Sequence, residues 1–199
     1  MDFTELTAEV VSITARPDLT TEIEAAVKAA TLKAHSSDYY FNDLVEVAVQ
    51  FDECRFIQTF DPSSIVAAYR QVKYMRIWNG DAATGTYGKF LQHIQIAESL
   101  DPYGYNREDV FYMAGNFLQI RAKLGVEKIL FGAYAHPVVT PEISYSSWIA
   151  EEYPYAIINE AARRIFMHIG YKDQASSMAR LAAEEYRTLA VSNVDVVPT

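Results

Sequence analysis

The sequence is short of cysteine. Cys54 is the only one in 199 residues, so no intrachain disulfide can form, which suits a reducing compartment. It is also short of positive charge. Seventeen Lys and Arg stand against 26 Asp and Glu, a formal net charge of −9. That balance argues against a basic nucleic-acid binder, because neutralising phosphates takes clustered cations. Long hydrophobic runs are missing as well. No stretch approaches the ~18 apolar residues that would suggest a membrane span. The opening Met1-Asp2-Phe3-Thr4-Glu5 lacks the basic segment and apolar run of a signal peptide. Internal repeats, low-complexity tracts and a G-x-G-x-x-G nucleotide turn are all absent.

Half of the residues are hydrophobic, enough for a real core, and the length fits one domain or one domain with an insertion. Tyrosine is abundant, with 14 against 10 Phe and 2 Trp. Tyrosine covers area at low entropic cost and keeps a polar tip, so an excess suits protein interfaces. An acidic balance also suits a protein that must stay soluble, or one that must not stick to DNA passing nearby.

The periodicity is helical at both ends and alternating between. Over residues 4–15, Leu6, Val10 and Ile13 share a face, and Pro17 ends the run. A second helix is expected over 21–35, with Ile23, Val27, Ala30 and Ala34 in step and Thr21 and Glu24 as a capping box. In residues 43–51, Val45, Val47, Val49 and Phe51 alternate with polar or small residues as in a half-buried strand. Residues 54–60 should return antiparallel across a turn at Asp52-Glu53. Asp61-Pro62-Ser63-Ser64 breaks the pattern. Residues 69–78 form another strand, with Val72, Tyr74, Arg76 and Trp78 on one face. Residues 79–88 are a glycine-rich loop, 90–96 fit strand or short helix, and Asp101-Pro102-Tyr103-Gly104 is a turn. Short strands follow at 111–113, 117–122 and 128–135, with Gly115-Asn116 as a hairpin turn. His136-Pro137 closes this β region.

From Pro154, a residue suited to a first helical turn, the helical period returns. Tyr155, Ile158, Ala162, Ile165 and Ile169 form one stripe over 154–169. Glu151 and Glu152 just before it suit the positive helix end. Gly170 can stop the helix in a left-handed conformation, and Asp173 can cap the next one over 173–190. There Ala175, Met178, Ala182, Tyr186 and Leu189 repeat the pattern. Glu160 and Arg164 are expected to pair on the solvent face for about 0.3 kcal/mol. A turn this short sets the two helices antiparallel. Residues 192–199 (SNVDVVPT) read as an extended tail. The fold class is therefore α+β: N-terminal helices and a C-terminal antiparallel helical hairpin forming a bundle, with an inserted antiparallel β region over about 43–138. Residues 1–191 make a single domain.

No catalytic set, metal site or cofactor motif is expected. None of His35, His93, His136 and His168 lies three or four residues from another His, Cys or Glu in a metal-binding pattern. The run 80–85 starts like a phosphate loop, but Thr86 and Tyr87 stand where Lys and Ser or Thr are required. Tyr69 and Lys73 have the spacing of a short-chain dehydrogenase pair, yet lie on a strand with no nucleotide turn upstream. Cys54 reads as a buried, inert thiol. Asp52-Glu53 and Glu184-Glu185 read as turn and solvated-face charges.

Three segments together resemble the head-to-tail adaptors of short-tailed bacteriophages, also called connector, head completion or tail tubular A proteins. They are the strand–turn–strand at 109–121 (DVFYMAGNFLQIR), the strand and Tyr-x-x-Pro exit at 129–138 (ILFGAYAHPV), and the helical pair over 148–189, opening on Pro-x-Ala-Ile-Ile-x-x-Ala. The likeness covers most of the chain, by pattern rather than by an invariant signature. It implies a structural virion protein rather than an enzyme, made in the host cytoplasm and placed at the neck between head and tail. Such adaptors form a twelve-fold ring under the portal protein ring, extend the channel through which double-stranded DNA passes, and present a surface to the tail nozzle or tube. No membrane and no cofactor are involved. On this resemblance Val194, Val196 and Val197 contact the portal. Tyr155, Ile158, Ile165, Ile169, Met178, Tyr186 and Leu189 pack the hairpin or neighbouring subunits. The alternatives are a small α+β hydrolase with carboxylates assembled across the β region, another neck or tail-terminator component, or a monomeric domain with a disordered tail.

Overall fold

The computed structural model describes residues 1–78, 88–99, 106–140 and 145–194, with residues 193 and 194 described by backbone only. The chain is α+β and divides into two compact units, one helical (residues 1–43 and 136–199) and one of β structure (residues 44–135). The inserted β region thus begins and ends within a few residues of its expected limits.

In the helical unit, α1 spans Phe3–Thr14. Asp2 and Glu5 cap it reciprocally, each carboxylate taking the other residue's backbone N–H at 2.8 and 2.9 Å. It stops at Ala15 in the left-handed region (φ 51°), before a 3-10 turn at Pro17–Leu19. That turn leads straight into α2 (Thr20–Ser36), which has no side-chain cap. The expected Thr21–Glu24 capping box is therefore wrong: with helical turn on both sides, there is no free helix start at Thr21 to cap. Ile23, Val27, Ala30 and Ala34 are buried as their spacing requires.

Ser147 caps the short α4 (Trp148–Glu152), so Glu151 and Glu152 lie inside a helix rather than ahead of one. Pro154 opens α5 (Pro154–His168). This helix meets α1, α2, α4 and the C-terminal helix α6 (Lys172–Val194), so it is buried on more than one stripe, through Ile157, Ile158, Ala161, Ala162, Ile165 and Phe166. Tyr155, expected on the stripe, sits at its margin in the first turn and is half exposed.

The α5 exit is a Schellman motif. Gly170 has φ +85°, Tyr171 N–H donates to the Phe166 carbonyl at 2.8 Å and Gly170 N–H to that of Met167 at 3.3 Å. The Phe166 and Tyr171 rings stack across it at 6.4 Å. Gly170→Ala is expected to cost about 1 kcal/mol through the left-handed backbone alone, since an added Cβ meets no atom within 4 Å. A thermal melt reads this, and an unchanged melting temperature would refute it.

Helix α6 (Lys172–Val194) starts one residue before Asp173, which is thus a first-turn acid and not the cap. It also runs past the expected limit at 190 and takes up the start of the presumed tail. No glycine or proline interrupts residues 190–194, and the Ser192 hydroxyl donates back to the Leu189 carbonyl at 2.8 Å.

The β unit is built on two long strands. β1 (Leu44–Phe60) and β5 (Phe117–Ala135) run antiparallel from Leu44 opposite Tyr134 to Phe60 opposite Leu118. No turn occurs at Asp52-Glu53: no glycine supplies the second positive-φ position of a two-residue hairpin, and β5 offers a partner on both sides. The ladder is irregular there, then resumes with neither strand gaining a residue: Gln50 faces Lys128 and Ile57 faces Arg121. The two strands expected at 117–122 and 128–135 are likewise one.

Between β1 and the next strand, Asp61 caps a single turn, α3 (Pro62–Ile65). β2 (Tyr69–Ile77) pairs with the end of β5, and β4 (Val110–Ala114) with its start through the Gly115-Asn116 hairpin. A register shift between Val72 and Tyr74 turns Val72 to the core side with Met75 and Ile77, not to the side of Tyr74 and Arg76. β3 (Gln92–His93) pairs parallel with β4, so the region is mixed rather than wholly antiparallel. Leu91 N–H also donates to the Met75 carbonyl and Ile94 N–H to that of Phe111. Backbone pairing therefore closes a circuit from β5 through β2, residues 89–94 and β4 back to β5. Its core centres on Phe131, Met75, Leu118, Ile120 and Ile129.

Candidate functional site

The chemistry-bearing side chains gather mainly in the helical unit. At the end of α2, His35 is 1 % exposed. Its Nδ1 lies 2.7 Å from Asp43 Oδ1 and its Nε2 2.8 Å from Ser147 Oγ. Trp148 Nε1–H donates to the same Asp43 oxygen at 2.8 Å, and the Trp148 ring stands edge-on to His35 and Tyr40. An ionised Asp43 only accepts, which puts a proton on His35 Nδ1.

Serine, histidine and aspartate follow one another here as in a nucleophilic relay. The use is different. Ser147 is 4 % exposed, and its oxygen accepts the Ala150 N–H at 3.2 Å as the cap of α4. A nucleophile must meet a substrate carbonyl, whereas this oxygen is sealed and already holds a helix start. The three groups lock the end of α2, residue 43 and α4 to one another. Sequence reasoning treated His35 alone, since its partners lie 8 and 112 positions away.

A second cluster lies on α5. Glu160 was expected on the solvent face, but its side chain is 2 % exposed. Arg163 donates to both of its oxygens at 2.9 and 2.7 Å, Arg164 Nε to Oε1 at 3.1 Å, and Lys33 of α2 lies 3.0 Å from Oε2. Burial raises its pKa, but these hydrogen bonds and charges outweigh burial and hold it at about 2. The expectation failed because α2 and α6 both pack on α5, which leaves it little solvent face. Burial, reinforced by the Glu160 charge, pushes the nearby Tyr186 phenol well above its usual value.

The other histidines form no site. His93 stacks on Phe111 and His168 ends α5. Among the described residues, no three His, Cys, Asp or Glu side chains come together as metal ligands. Tyr69 and Lys73 lie on β2, as their strand pattern implied. The 80–85 run and the turn at 101–104 lie outside the described residues. Asp52 and Glu53 are strand residues of β1, while Glu184 is on an exposed helix face.

Cys54 is exposed, against the expected buried thiol. It lies in the irregular stretch of β1, where Phe56 and Ile57 are also turned outward. Native protein should react with a thiol reagent at close to one equivalent per chain before any unfolding, read as thiolate release. Labelling only in denaturant would contradict this.

Of the proposed contact residues, Ile158, Ile165 and Leu189 are buried in the helical core, and Ile169, Met178 and Tyr186 pack against it. Tyr155 faces solvent. Val194 is the last described helical residue, and Val196 and Val197 lie outside the described residues. Residues missed by sequence reasoning also stand outward: Phe41, Met167, Tyr171 and Val191 are each more than half exposed. A groove of about 240 Å³ is lined by Tyr40, Phe41, Asn42, Trp148, Glu152, Tyr153 and Ser192. Among the described residues, no helix is long and apolar enough to cross a membrane. No protein-family model matches the chain, and no curated protein matches it in sequence.

Proposed function

We propose that this chain is a structural virion protein, a ring-forming adaptor that joins the capsid portal to the tail and extends the DNA channel. The observation that carries the reading is the set of large apolar side chains left outside a well-filled helical core. Tyr155, Met167, Tyr171 and Val191 project from α5, α6 and the turn between them, while the same helices bury Ile157, Ile165 and Leu189 inward. Exposed apolar surface marks contact with another molecule where it is contiguous, and Met167 and Tyr171 both flank the turn between α5 and α6. Heterologous side-by-side packing in a closed ring would cover it on every subunit. The net charge of −9 is compatible with a channel through which DNA slides without adhering.

The test is assembly. Purified chain mixed with portal rings from the same virus should co-sediment, and electron microscopy should show a ring of copies, twelve on the family resemblance, seated on the portal. A chain that stays monomeric and never co-sediments would end this reading.

A further inference from the structure

We propose that Lys33, Arg163 and Arg164, gathered by the buried carboxylate of Glu160, form a receptor for an oxyanion, either a carboxylate or a phosphate group. The cluster places three cations on one anion in a chain whose net charge is −9. Glu160 is saturated: each oxygen takes two of the four contacts, at 2.7 and 3.1 Å on Oε1 and at 2.9 and 3.0 Å on Oε2. A carboxylate has about four lone-pair directions, so the cations can spend no more donors on it.

Donors remain. Arg164 uses only its Nε, Arg163 keeps Nη1, and the Lys33 ammonium has two further N–H groups. None of these makes another hydrogen bond among the described residues. All three side chains reach water, with exposures of 29, 38 and 46 % for Arg163, Arg164 and Lys33. Two guanidinium forks and an ammonium are therefore held in place by a buried counter-ion, with surplus charge and unused donors; the Lys33 ammonium also lies over the Tyr186 ring, 5.8 Å from its centroid.

That arrangement suits an oxyanion for two reasons. A guanidinium presents paired N–H groups that match two oxygens of one carboxylate or phosphate. Glu160 has already restricted the cations' rotamers, so less entropy is lost when a ligand arrives. Arg164 also lines a shallow groove of about 290 Å³ with Ala25, Ala26 and Ile165, and with His168 and Glu22 as its other charged or titratable groups. The small apolar residues leave room for the carbon framework that carries the anionic group. Glu22 opposes an anion there, which favours approach from the Arg164 side.

The experiment uses the full chain with 15N-labelled arginine. Inorganic phosphate and glutarate are titrated separately at ionic strength held constant with chloride, and the Arg163 and Arg164 Nε–H signals are followed. Saturable shifts of both signals are expected. The tighter titrant identifies the group as phosphate or carboxylate. Arg164→Gln, with its fold checked by circular dichroism, should weaken binding about tenfold or more, the loss of a charged hydrogen-bond pair. Shifts no larger than in chloride alone, or a variant that binds as the wild type does, would overturn the proposal.

Discussion

Glu160→Ala is expected to lower the stability of the chain by about 3 kcal/mol, read from urea unfolding followed by far-ultraviolet circular dichroism. The substitution leaves Lys33, Arg163 and Arg164 close together without their counter-ion. Removing one partner of a buried ion pair costs roughly 3–5 kcal/mol. The lower end applies because the cations are partly exposed and water can solvate them.

The same carboxylate predicts acid sensitivity of definite sign. Its folded pKa is about 2 against an ordinary 4.5. A depressed carboxylate pKa contributes stability that is fully present above the unfolded value and is lost as pH falls through the folded one. Stability should therefore decline between about pH 4.5 and 2 in the wild type, with a smaller decline in Glu160→Gln. Equal acid slopes in the two proteins would show that the cluster holds the carboxylate no more firmly than water does.

Asp43→Ala carries the other large effect. It strips the acceptor from a buried donor, His35 Nδ1–H, and a part-buried one, Trp148 Nε1–H, which share one Asp43 oxygen. Each orphaned donor costs about 1–3 kcal/mol, so a total loss of roughly 4 kcal/mol is expected. Asp43→Asn retains an acceptor and should lose less than half of that. Ser147→Ala removes the α4 cap and should cost about 1 kcal/mol. A lock predicts this order in thermal melts. It also predicts that a serine-directed phosphonate leaves folded Ser147 unlabelled, because its oxygen is buried and bonded to Ala150 N–H. Rapid labelling would restore the nucleophile reading.

Much of the helical unit was legible because its signals are local. The buried positions of α2 and α6 follow the spacing of apolar residues along each helix. Pro154 at a helix start, Gly170 at a helix stop and Gly115 in a hairpin with φ +65° each act through backbone freedom that the residue type itself sets. The β region was legible in its existence and limits, through the alternation at 45–51 and the exit at His136-Pro137. Its pairing was not. Asp52-Glu53 looked like a turn by composition, but β5 supplied a ladder partner on both sides and kept β1 extended.

Of the two clusters, His35 and the Glu160–Arg164 pair were visible; the other partners and their meeting were not. Nothing local marks His35 as the partner of Ser147, or Lys33 as a contact of Glu160. The sequence by itself determined the α+β class, the helices that bracket the β region, and the helix start at Pro154 and stop at Gly170, because those depend on neighbours within one turn or one strand. Only the tertiary structure decided that β1 runs through without turning, that β3 joins β4 in parallel, that Cys54 is exposed and that Glu160 is buried. Those outcomes depend on which distant surface covers a residue, and that is fixed when the elements pack.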